Sequence, residues 1–115
     1  ETVIKKGTCL GFVICLRENT NYQSINYKFF QKRHKKFIYI DRIAIANKYQ
    51  SSGIGSNLYS KLLSIKDKFN IPICAEVNID PPNEVSINFH IKHGFSKITE
   101  STIKEGYSVV YMEIE

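Results

Sequence analysis

No run in this sequence approaches the roughly 18 consecutive apolar residues that a membrane-crossing helix needs, and the N-terminal residues carry no signal-peptide pattern. The chain is therefore expected to be soluble. Cysteine is scarce and oddly counted: Cys9, Cys15 and Cys74 have no CxxC spacing, and each sits among apolar residues, as a small buried hydrophobe does. A disulfide framework and a thiolate metal centre are both excluded on that count, no metal is expected, and a reducing, cytoplasmic compartment fits best. Internal repeats and low-complexity tracts are missing as well. With 115 residues there is no room for a second domain, so residues 1–115 are read as one.

What is present is a hydrophobic content of 43%, delivered as short runs rich in Ile, Val, Tyr and Phe, with one stretch of clear helical period. That combination reads as a mixed α/β protein. Sixteen Lys and Arg against 11 Asp and Glu leave a formal charge of +5, a field that favours an anionic partner without naming it. The densest basic cluster, Lys32-Arg33-His34-Lys35-Lys36, has no aromatic platform or nucleic-acid motif beside it and reads as a solvated hairpin tip. The sequence opens at Glu1 rather than a methionine and becomes strand-like almost at once, which gives the expectation that further residues precede it.

Along the chain, residues 7–16 form a strand, residues 17–21 a turn, and residues 22–30 and 37–46 two further β-rich runs, which together predict an antiparallel meander. From Gly53 onward Ile54, Leu58, Leu62, Ile65 and Phe69 recur at three- and four-residue steps, which predicts an amphipathic helix. Asn70 and Pro72 end it, and residues 73–78 make a strand, so the β-turn-helix-β unit should hold a parallel pair. Residues 84–92 alternate as a strand would, yet Asn83 as N-cap and Gly94 as C-terminal stop argue for a helix. Residues 95–102 and 107–115 close the domain as a hairpin around Lys104-Glu105-Gly106.

The chemically informative segment runs from Tyr39 to Gly55, where a strand leads through a Gly-containing loop straight into a helix. Gly53 and Gly55 permit close backbone approach, and the helix N-terminus offers unpaired N–H groups and a positive dipole end, which together make an anion site suited to a pyrophosphate. Gln50-Ser51-Ser52-Gly53-Ile54-Gly55 lacks the Lys-Ser/Thr of a P-loop and the third glycine of a dinucleotide fingerprint.

This loop resembles the acetyl-CoA loop of the GNAT superfamily of N-acetyltransferases, Gln/Arg-x-x-Gly-x-Gly/Ala, matched by Gln50, Gly53 and Gly55. A second motif of that family, Asn-x-x-(small)-x-x-(apolar)-Tyr-x-x-x-Gly-Phe, is met by Asn83, Ser86, Phe89, His90, Gly94 and Phe95, with His90 standing where many members carry tyrosine. Residues 39–43 and 76–83 resemble a little-characterised branch. The resemblance implies a GNAT-like α/β (α+β) fold, with a mixed, mostly antiparallel sheet, a central parallel β-α-β unit and a C-terminal hairpin. The family's opening strand and the two helices that usually wall its acceptor site are expected to have no counterpart in this sequence.

It further implies acetyl-CoA as co-substrate and an unidentified amine as acceptor. Gln50, Ser51, Ser52, Gly53, Ile54, Gly55 and Ser56 would hold the pyrophosphate, the backbone of Ile43, Ala44 and Ile45 the pantetheine arm, and Asn83 and Phe89 would touch the cofactor from the later helix. An alkyl amine is mostly protonated at neutral pH, so a base is required. Asp41 and Glu76 are the candidates, Asp41 being expected to share a strand face with Tyr39, Ile43 and Ile45. For the acid that meets the departing thiolate, His90, a nearby tyrosine and water stay open. Tyr22, Ser24, Asn26 and Tyr27, read as part of the meander's second strand, are expected to line the acceptor cleft, Tyr107 and Tyr111 to pack, and His34 and His93 to lie on the surface. Two other readings remain: a CoA-binding module without catalysis, and a basic nucleic-acid binder. An exposed sheet edge would suit a homodimer.

Overall fold

The structure, a computed structural model, describes residues 2–5, 8–45 and 53–115. Strands β1 (Thr2–Lys5) and β2 (Thr8–Arg17) are followed by helix α1 (Ile25–Arg33), strand β3 (Ile38–Ile45), helix α2 (Ile54–Phe69), strand β4 (Ile73–Asp80), helix α3 (Glu84–Lys92) and strands β5 (Ser96–Lys104) and β6 (Tyr107–Ile114). The six strands form one sheet in the order β1-β2-β3-β4-β6-β5. All pairings are antiparallel except β3 with β4, which is the parallel pair that the β-helix-β reading requires.

One predicted element is wrong. Residues 22–30 are not the second strand of a meander; most of them belong to α1, and Thr2–Lys5 supplies the additional strand. Ser24 caps α1 by accepting from the Tyr27 N–H, and Lys32 and Arg33 sit in its last turn, where the dipole favours them. The buried side chains are Asn26, Tyr27 and Phe30, spaced as a helix face, while Ile25 is exposed. Isolated nine-residue helices are marginal in water, so α1 exists because it is packed. Tyr27 sits edge-on to Tyr22 and Tyr39, Phe29 stacks on Tyr111 at 4.0 Å, and the Tyr27 hydroxyl donates to the Arg17 carbonyl. The basic cluster is therefore the end of a helix and its exit to β3, not a hairpin tip.

The sheet has two covered faces. On one, Tyr27, Phe30, Phe37, Tyr39, Cys74, Val109 and Tyr111 form the core under α1. On the other, Val13, Ile38, Ile40, Ile73, Ala75, Val77, Val110 and Met112 meet Leu58, Tyr59 and Leu62 of α2 and Phe95 after α3. Period-two alternation assigns β4 and β6 residues to these faces in turn. In α2 the stripe differs from expectation at its far end: Ile65 and Phe69 are exposed, while Tyr59 joins Leu58 and Leu62 in the core.

Two irregularities shape the centre. The β3–β4 ladder holds only Ile38↔Ile73 and Tyr39↔Cys74, although both strands continue to residues 45 and 80, so a gap opens in the middle of the sheet. Opposite β2, the register steps from Ile14↔Arg42 to Cys15↔Ile40, which makes Asp41 the extra residue of a β-bulge. Asp41 therefore stays on the face of Tyr39, accepting from Tyr22, whereas Ile43 packs with the opposite core. The shared face expected for Asp41 and Ile43 is broken by that bulge.

Candidate active site

Beside the gap, on the α2 and α3 side, lies a pocket of about 270 Å³ lined by Ile43, Gly55, Tyr59, Asn83, Val85, Ser86, Phe89 and His90. Gly53 caps α2 in a left-handed conformation, φ +87°, that other residues adopt only at a cost. Having no side chain, it leaves the first N–H groups of the helix without a cap from that position, the condition for an anion site. Gly55, in the first turn of α2, is buried. Asn83 caps α3 by accepting from the Ser86 N–H at 3.2 Å, so its structural role is realised while its neighbours still line the pocket.

His90 is buried, and both ring nitrogens are engaged. Nδ1 lies 2.7 Å from the Ser86 carbonyl oxygen, which can only accept, so Nδ1 carries the proton. Nε2 lies 2.6 Å from the Tyr59 hydroxyl, which then donates to it when the imidazole is neutral. Burial holds the His90 pKa below its usual value, with the His93 ring a lesser cause, against an opposing pull from the Ser86 carbonyl. Burial likewise pushes the Tyr59 phenol up, with a smaller contribution from Cys15.

On the opposite face of the gap stands Glu76 of β4. Its Oε1 accepts from the Tyr39 hydroxyl at 2.8 Å and from Asn26 Nδ2 at 3.2 Å; Asn26 in turn accepts from the Tyr111 hydroxyl at 2.9 Å. Its Oε2 is buried and has no partner among the described residues. Burial dominates and raises the Glu76 pKa to about 7 despite these donors, with Asp41 adding a little more. The neighbouring Asp41 is more open, its Oδ1 taking the Tyr22 hydroxyl at 2.8 Å.

The structure thus brings His90, Asn83, Ser86, Phe89, Gly55 and Ile43 to one pocket and sets Glu76 and Asp41 across the sheet from it. Ala44, Ile45 and Ile54 are described as backbone only, in β3 and at the start of α2, while Gln50, Ser51 and Ser52 lie outside the described residues. Of the expected acceptor-cleft residues, Asn26 and Tyr22 reach the two carboxylates, Ser24 both caps α1 and meets the side chain of Tyr39, and Tyr27 is spent on the Arg17 carbonyl. Sequence reasoning missed Tyr59, Tyr39 and the service of Asn26. The service of Asn26 was hidden by reading residues 22–30 as a strand.

Two histidines read as surface residues are half-buried and bonded. His93 lies 2.8 Å from the Phe89 carbonyl through Nδ1 and 3.1 Å from Ser56 Oγ through Nε2. His34 Nε2 lies 2.7 Å from Glu113, whose two oxygens also take Arg33 at 3.0 and 2.8 Å. These contacts tie the end of α1 to β6. Ligand-type atoms of His34, Cys74 and Glu113 lie within 4.8 Å of one another, but Arg33 already neutralises the carboxylate. A larger hollow of about 810 Å³ between α1 and β5, with Lys28, Lys32 and Arg33 on one bank, contains none of the predicted site residues.

Residues 2–95 match the sequence profile of the acetyltransferase (GNAT) family. No curated protein matches the chain. Among solved structures, Naa50 from Arabidopsis thaliana, in complex with the bisubstrate analogue CoA-Ac-MVNAL, superposes with TM-score 0.71 at 22% identity over 95% of this chain and 67% of that one. The ribosomal-protein-S18-alanine N-acetyltransferase of Escherichia coli gives 0.68 at 18% identity over 96% and 64%. A Bacillus anthracis acetyltransferase solved with acetyl coenzyme A gives 0.71 at 19% identity over 96% and 58%. At these identities the likeness is one of fold, and the chain spans between 58% and 67% of the lengths of these three proteins.

Proposed function

The chain belongs to the GNAT acetyltransferase family, and from that premise we propose that it transfers the acetyl group of acetyl-CoA to a primary amine, of a small molecule or a protein, by direct attack. The observation that carries the reading is the unpartnered, buried Oε2 of Glu76, held at the gap between β3 and β4. A buried carboxylate oxygen without a donor costs free energy, and an amine nitrogen supplies the missing donor. Tyr39 and Asn26 fix the other oxygen, so Oε2 has one orientation in which to accept the amine's proton.

The remaining parts follow from position. Acetyl-CoA would place its pyrophosphate on Gly53, Gly55 and the first turn of α2, and its pantetheine arm along residues 43–45, where β3 has no ladder partner on its β4 side among the described residues. Its thioester would then lie in the gap, with Glu76 on one face and the Tyr59–His90 pair on the other. The amine nitrogen attacks the thioester carbonyl carbon, the C–N bond forms as Glu76 takes a proton, and the C–S bond breaks. Asp41, bonded to Tyr22, is assigned to the acceptor's surroundings and not to the base.

Cys15 and Cys74 are free thiols, consistent with the cytoplasmic location we assign, and among the described residues no helix is long and apolar enough to cross a membrane. The reading is tested by measuring acetyl-CoA consumption against a panel of alkyl amines and N-terminal peptides, with calorimetric titration of acetyl-CoA alongside. Glu76→Gln is expected to lose about 10²- to 10⁴-fold in turnover while binding acetyl-CoA within about threefold of the native chain. Tight binding with no turnover for any amine would favour the non-catalytic CoA-binding module instead.

A further inference from the structure

We propose that Tyr59, carried by α2 and not by the helix that bears His90, is the group that hands a proton to the departing CoA thiolate, and that His90 reloads it. The inference rests on the acetyl-transfer reading above. Three geometric facts support it. Tyr59 and His90 line the same pocket together with Gly55 at the head of α2. Their polar atoms are 2.6 Å apart. The Ser86 carbonyl, 2.7 Å from Nδ1, fixes which His90 nitrogen can exchange a proton with Tyr59.

That carbonyl makes the pair a device with two settings. When the imidazole is neutral, its proton stays on Nδ1 and the Tyr59 O–H points at Nε2. When His90 is protonated, Nε2–H donates to the Tyr59 oxygen and the phenolic hydrogen is released toward the pocket. Edge-on packing of Tyr59 against His90, Phe89 and His93, with ring centroids 5.0 to 5.8 Å apart, holds the phenol ring in place in both settings.

The proton accounting then closes. The C–N bond forms and the C–S bond breaks, Glu76 takes the amine's proton, sulfur takes the Tyr59 hydrogen, and Tyr59 takes the Nε2 hydrogen of imidazolium. Neutral His90, neutral Tyr59, free thiol and protonated Glu76 remain, and solvent returns the proton from Glu76 to His90. Tyr59 alone is a poor donor, because burial pushes its phenol above the usual value of about 10 whereas a thiol ionises near about 8.5. His90 as an imidazolium is acid enough, and Tyr59 carries its proton. The titratable groups facing the pair are His93 at the end of the same helix and Cys15 on β2.

CoA itself is the probe. The pKa of its bound thiol, followed by thiolate absorbance, is expected to lie about one unit higher in Tyr59→Phe than in the native chain, because a hydrogen bond to the thiolate is lost. Affinity for the thiol form should change less than about twofold. Identical thiol ionisation in both proteins overturns the relay. Since Tyr59→Phe leaves buried Nε2 without its donor and can loosen the fold, a second measurement uses the unaltered chain. The His90 imidazole, titrated by NMR, should become more basic with CoA bound as thiolate and not with desulfo-CoA; an equal response to both ligands also overturns the relay. A folded chain that binds no CoA overturns the acetyl-transfer reading and the relay together, whereas CoA binding without these signatures overturns the relay alone.

Discussion

Replacing Glu76 by Gln should shift stability in the variant's favour as pH rises from 5 to 8. Burial raises the Glu76 pKa from 4.5 to about 7, so the native state holds its proton more tightly than the unfolded chain does. The sign follows directly: between those two values the unfolded chain ionises first, and stability is lost as pH rises. At pH 8 the cost approaches 1.36 kcal/mol for each unit of the shift, about 3 kcal/mol, and at pH 5 it is about 1 kcal/mol. Gln mimics the protonated carboxyl, keeping an acceptor for Tyr39 and Asn26 and placing an amide where Oε2 stands. Urea unfolding of both proteins at pH 5 and pH 8 therefore should show the variant's advantage growing by about 2 kcal/mol, or several degrees in Tm. An advantage that is the same at both pH values would refute the claim that Glu76 is a strained, ionisable group.

Three further expectations are open to direct measurement. If Glu76 is the base and the Tyr59–His90 pair supplies the acid's proton, kcat/KM should follow a bell with one limb near about 7, the value to which burial lifts Glu76, and a flat profile from pH 5.5 to 8 would assign the protons elsewhere. Gly53→Ala should cost about 1 to 2 kcal/mol, because φ is +87° while the space around an added methyl is open; thermal melts and acetyl-CoA titration should show the loss together. Phe30→Ala should cost about 3 to 5 kcal/mol, since its ring is fully buried beneath α1, and helical circular dichroism should fall along with urea midpoint.

Much of this architecture is written as punctuation. Gly53, the Asn70–Pro72 stop, Asn83 as a cap, Gly94 at φ +98° and the Glu105-Gly106 turn all act where their chemistry says they should. Helix α1 escaped because its buried face mixes Asn26 with the aromatics Tyr27 and Phe30, Phe29 is only partly covered and Ile25 is exposed, so no clean apolar period exists to detect. The Ser24 cap and the closing Lys32 and Arg33 were the signals that carried the right answer. In the site, Glu76 was legible as a candidate, but the features that raise it above Asp41, a buried orphan oxygen and a bulge that turns the strand, are tertiary. Tyr59 looked like one more residue of a helix whose apolar stripe ran through Leu58 and Leu62; only the approach of α3 gives it a partner.

The short β3–β4 ladder has a consequence for how the molecule breathes. With only Ile38↔Ile73 and Tyr39↔Cys74 joining them, the strands β1-β2-β3 and β4-β6-β5 form two triplets coupled by two residue pairs and whatever packs across them. Such triplets are natural cooperative units of partial unfolding. Amide exchange should therefore divide at that seam, each triplet opening with its own free energy, and a ligand threaded between them would act as a rivet that makes the two halves exchange as one.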